Sequence, residues 1–199
     1  MKWNFKQSIL VLVIVLVIIF LFVKFSKNNN GGITEDLIID DDKTSSNVVE
    51  GVIPGEVKKV DEKTNAFIHK QYGFSLDYPS NMKASNFKEG DGEQIIFQGS
   101  NGDWFQMYIT PWDEEGDITS ARIKKDLPDI LIKDPQNVII GPKQKEGVGP
   151  HALIFWSYDS GLGDTREVWF VQNGNLYQVT TYKKLDLMLG QILSTLTFQ

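Results

Sequence analysis

The apolar positions of this chain fall into three regimes. Residues 9–23 read ILVLVIVLVIIFLFV, fifteen consecutive apolar side chains. As a helix that run covers about 22 Å, short of a hydrocarbon core of about 30 Å. Extending it from Phe5 to Phe25 closes the gap if Lys6 and Lys24 carry their ammonium groups out to the head groups. Trp3, Phe5 and Phe25 stand where interfacial aromatics belong. A cleaved signal peptide is the competing reading, but KFSKNNN follows the run, without the small-x-small site that cleavage requires. Residues 1–27 are therefore expected to be an uncleaved single-pass membrane anchor.

Polar and acidic sequence follows. Residues 28–66 carry only short apolar patches, at Leu37–Ile39 and Val48–Ile53. Between Asn28 and Thr64 nine acids face four lysines. This composition reads as a flexible tether, and about 37 residues of such chain span roughly 35 Å. Asp40-Asp41-Asp42 does not open a calcium loop: position 6 would be Ser45 and position 12 Gly51, where glycine and glutamate are needed.

From residue 67 onward the apolar positions mostly alternate, the mark of half-buried strands. Strands are expected at 72–78, 82–88, 93–98 and 104–110, then at 138–145, 152–158, 166–172 and 176–182. Asn173-Gly174 between the last two is a hairpin signature. One helix is expected after Asp117 or Thr119, running through Ala121, Ile123 and Leu127 to Pro128. A second over about 185–195 places Leu185, Met188, Leu189, Ile192 and Leu196 on one side. Gly190 inside it costs about 1 kcal/mol relative to alanine. Strand runs punctuated by two helices predict an α+β domain over 67–199, an antiparallel β-sheet flanked by helices.

The opening YGFSLDYPSNM and the closing GNLYQVTTYKKLDLMLGQILSTLTF carry a resemblance. Over residues 70–199 the chain resembles the PsbP-like (Mog1/PsbP) family. The resemblance implies a central antiparallel sheet with helices on both faces and a non-enzymatic binding or assembly role. No site residues of the family's photosystem or Ran-related branches match positions here.

Charge adds location. The net charge is −6, yet residues 1–27 hold four lysines and no acid, so the remainder sums to −10. The amino terminus tips the positive count toward the cytoplasm and places the acidic domain outside. An acidic exterior repels phosphate backbones, so nucleic acid is not an expected partner. Without cysteine the chain has no disulfide, thiolate site or lipid-attachment cysteine.

Candidate chemistry is sparse. His69 and His151 lack metal-ligand spacing and read as ordinary turn or edge histidines. No serine stands in a nucleophile motif, and Gly161-Leu162-Gly163 lacks the context of a phosphate loop. Neither catalytic residues nor cofactors are expected. Asp113, Glu114, Glu115, Asp117, Asp159 and Asp164 are loop acids of the kind a hydrolase could use if one were desolvated. The aromatics Trp104, Trp112, Trp156 and Trp169, with Tyr108, Tyr158 and Tyr177, are expected mainly to fill the core; on an uncovered face they would stack on a sugar or peptide. The expectation is thus a tethered extracytoplasmic binding or assembly module. The bilayer is its partner through Ile9 to Val23, an envelope protein or glycan its ligand, and a cell-envelope hydrolase the alternative.

Overall fold

A computed structural model describes residues 55–142 and 149–199. The anchor expected at residues 1–27 and most of the tether lie outside them. Among the described residues no helix is long and apolar enough to cross a membrane.

The described part is mainly β, 55% strand and 13% helix, which overturns the α+β expectation. Two antiparallel sheets face each other, and the helices are short. The smaller sheet has the order β1-β2-β3-β11, built from Glu56–Lys59, Thr64–His69, Phe74–Pro79 and Thr197–Phe198. The larger sheet has seven strands. Its order β4-β5-β6-β10-β9-β8-β7 draws on Met82–Glu89, Gly92–Gly99, Trp104–Pro111, Asn175–Tyr182, Gly163–Gln172, His151–Asp159 and Lys133–Ile139. Helix α1 is Ser120–Asp126 and α2 is Asp186–Leu193, the latter entered through a 3-10 turn at Lys183–Leu185.

Alternation explains why sheets win over helices. In β3 the pattern Phe74, Leu76, Tyr78 buries every second residue, and in β6 Phe105, Met107 and Ile109 do the same. Each strand therefore has one apolar face, and two such faces cover each other without a helical layer. The main core lies between the sheets, where Phe67, Phe74 and Leu76 meet Ile95, Phe97, Phe105, Phe170 and Tyr177. Phe97 stacks on Phe105 with ring centroids 4.3 Å apart, and Phe170 stacks on Tyr177 at 4.8 Å. Helix α2 closes this core with Leu189, Ile192 and Leu193.

Local signals hold where they were strongest. Thr119 caps α1, its Oγ1 accepting the Arg122 N–H at 3.1 Å. Asn173 (φ 51) and Gly174 (φ 70) form the two-residue turn between β9 and β10. The strand expected at 138–145 is displaced: β7 ends at Ile139, and residues 143–148 lie outside the described residues. Two strands fall where a tether was expected. β1 carries exposed lysines and pairs with β2, whose Thr64, Asn65 and Ala66 also fall within the stretch read as linker.

Candidate functional site

The two faces of the seven-stranded sheet have different fates. One is sealed against the smaller sheet. On the other, alternation and register place side chains in rows that cross the strands. One row is Gln94, Tyr108, Gln178 and Trp169; the next is Ile96, Gln106, Thr180 and Glu167. A third begins with Gln98 and Trp104 and continues beside them through Tyr182.

A small second core covers only one end of this face. Ile118, Ile123, Leu153, Phe155, Trp169 and Leu176 pack there, with Trp112, Ile130 and Ile132 against them. The segment that carries α1 supplies this cover. It is held by Arg122, which pairs with Asp113 at 3.0 Å, Glu114 at 2.8 Å and also Asp126, and lies 5.0 Å from the Trp112 ring. The cover does not extend over the middle of β5, β6 and β10. There Ile96, Trp104, Gln106, Tyr108, Gln178, Thr180 and Tyr182 are half-buried.

Gln98, Gln106 and Gln178 make no side-chain hydrogen bond among the described residues. Gln106 and Gln178 are half-buried and Gln98 is exposed, so amides on three adjacent strands are left with donors and acceptors to offer. Trp104 and Tyr182 meet edge to face, centroids 5.2 Å apart. A shallow cavity of about 370 Å³ opens beside them, lined by Gly102, Asp164, Tyr182, Lys183 and Lys184. Tyr108 lies along the sheet and donates its hydroxyl to the Glu89 carbonyl at 3.2 Å; burial pushes that phenol up to about 12.

Glu167 forms the floor where cover and open face meet. It accepts hydrogen bonds from Thr165 Oγ1 at 2.8 Å, Thr180 Oγ1 at 2.7 Å and Trp169 Nε1 at 3.1 Å. Burial raises its carboxyl to about 7, against the pull of those three donors. Sequence inspection passed over this residue, because a lone glutamate in an alternating strand resembles an ordinary outward charge.

The four tryptophans are not brought together. Trp104 stands on the open face. Trp169 is buried in the second core, edge-on to Phe155, and Trp112 packs against that core. Trp156 lies on the opposite face under Arg166, whose guanidinium carbon is 3.4 Å from its ring centroid and which also forms a two-point pair with Asp186. Of the loop acids only Asp113 and Glu114 converge, both on Arg122; the others lie apart. Asp117 faces His151 Nδ1 at 3.3 Å, Asp164 faces Lys183 at 3.6 Å, and Asp159 accepts the N–H groups of Gly161 and Leu162.

His69, expected near a turn or edge, is buried in β2. Its Nε2 contacts Glu93 Oε1 at 2.8 Å, and Asn86 donates to the same oxygen at 2.6 Å. This buried network links the smaller sheet to β4 and β5. No group of three or more His, Asp or Glu positioned to hold a metal occurs among the described residues. Compared with models of known protein families the chain matches none, and no curated protein matches it in sequence.

Proposed function

We propose that this protein is a membrane-tethered, extracytoplasmic binding or assembly module that works without catalysis and engages its ligand through the uncovered face of the seven-stranded sheet. The carrying observation is the pair of half-buried glutamines Gln106 and Gln178 on β6 and β10, joined by the exposed Gln98 on β5, whose amides make no side-chain hydrogen bond among the described residues. Half-burying an amide without a partner gains nothing for folding, whereas it prepares a surface for a ligand that completes the hydrogen bonds. The apolar run at Ile9 to Val23 supports attachment to a bilayer, and the terminal amine, which tips the otherwise even count of lysines on either side of the run, supports an outside position for the domain. The resemblance to PsbP-like proteins, with the binding or assembly role it implies, points the same way.

The hydrolase alternative finds less support. Asp113, Asp159 and Asp164 each have a separate cationic or amide partner, and Glu167 is enclosed by donors of the protein itself. Photo-cross-linking on intact cells tests the binding reading, with the reactive side chain placed at 106 or 178 and, as control, at the exposed Leu187. Adducts specific to the first two positions are expected. Recovery of the protein alone from every position would refute it.

A further inference from the structure

We infer that the ligand of this face is an uncharged saccharide, held by the glutamine amides of β5, β6 and β10 and by the rings of Trp104 and Tyr182; this deepens, and rests on, the binding reading above. The chemistry of the face selects the ligand class. A sugar hydroxyl both donates and accepts, and a glutamine side chain offers the same pair from one planar group. Gln98, Gln106 and Gln178 present three such groups on neighbouring strands, with their hydrogen-bonding capacity unspent among the described residues. Pyranose rings also have an apolar C–H face, which needs an aromatic surface beside the amides. Trp104 and Tyr182 supply it in the row that continues Gln98.

Charge narrows the class further. The outward positions of β5, β6 and β10 carry no charged side chain, although the chain beyond residue 27 sums to −10. At the end of the face the lysines are matched, Lys183 by Asp164 at 3.6 Å and Lys184 by Asp103 at 3.7 Å. An anionic glycan would find a single ammonium without an ion pair among the described residues, Lys83 of β4 opposite Gln98 at the edge of the face, while a neutral one would find donors and acceptors of both kinds across its middle. Lys184 lies 5.4 Å from the Tyr182 ring centroid, so a sugar stacking on that side takes the place of an exposed ammonium.

A peptide fits less well. Strand addition is opposed at both edges. β7 is interrupted by Pro135 and an irregular register between Lys133 and Gln136, and β4 carries Lys83 and Lys88.

The full chain in lipid nanodiscs, free of sugar detergents, should be titrated with chitotetraose, cellotetraose and maltotetraose, and with oligogalacturonate as the anionic counterpart. Binding is to be read by calorimetry and by tryptophan fluorescence. At least one neutral oligosaccharide should bind, and more tightly than the anionic one. Gln178→Ala and Trp104→Ala should each weaken that binding at least about tenfold with an unchanged melting temperature. Absence of binding by all three neutral oligosaccharides at millimolar concentration overturns the inference, as does binding that both substitutions leave intact. If cross-linking from 106 and 178 then yields a specific protein adduct, only the saccharide is wrong and the binding reading stands; if it yields none, both fail.

Discussion

Glu167 shows how a single side chain can be stabilised and strained by the same surroundings. Three donors favour its carboxylate while burial opposes it, and burial wins, lifting the carboxyl from 4.5 to about 7. The sign of the consequence follows from proton uptake. Between those two values the folded state holds a proton that the unfolded chain has lost, so stability falls as pH rises through that window. The loss amounts to about 3 kcal/mol at most. Thermal melts of the wild type should show a melting temperature that declines from pH 4.5 to 7.5. Glu167→Gln should flatten the decline, because an amide keeps an acceptor for these donors and never ionises. Equal slopes in the two proteins would mean that the carboxyl does not titrate in this window. At this scale the sequence was only partly legible. Thr119 and Asn173-Gly174 announced a cap and a turn through local chemistry, whereas nothing local marked Glu167 or His69, whose partners are brought to them by strand pairing.

Among the elements, α2 tests how much local preference matters once packing is in place. It spans Asp186–Leu193, close to the expected helix; of the expected apolar side Leu189, Ile192 and Leu196 are buried and Leu185 and Met188 half-buried, while Leu193, outside that set, is buried as well. Gly190 is exposed, and a Cβ built there meets no atom within 4 Å. The glycine therefore serves no close approach. Gly190→Ala should raise stability by about 1 kcal/mol, read as a higher denaturant midpoint at unchanged slope. A fall in the midpoint would show that some other constraint acts on this turn. Two of the elements that escaped sequence reading share a physical cause. β1 has three exposed residues in its four and β7 six in its seven, so neither shows the alternation that betrays a half-buried strand. Edge strands held mainly by backbone hydrogen bonds leave little trace in the order of side chains.

At the scale of the whole molecule, the expected helical layers are replaced by a second sheet. The smaller sheet covers one face of the larger, α2 closes the core, and the segment with α1 covers only part of the other face. What is left open is the surface assigned above to a ligand. The outside position proposed for it rests on the terminal amine, which tips the otherwise even count of lysines flanking the apolar run. Trypsin added to intact cells or right-side-out vesicles should therefore cleave the chain beyond the anchor without lysis. Digestion seen only after lysis would place the domain on the cytoplasmic side.

Sequence alone determined what depends on neighbours along the chain: strands from alternation, caps and turns from single residues, and the apolar run from composition. Partnership across the chain was decided by tertiary structure. Register decided that Thr165, Thr180 and Trp169 surround Glu167, that Trp169 is buried while Trp104 is not, and that three glutamines fall on adjacent strands. Alternation states that a residue faces one side of a sheet. Which side is covered, and by what, depends on free energy gained between segments far apart in sequence, and no local pattern encodes that.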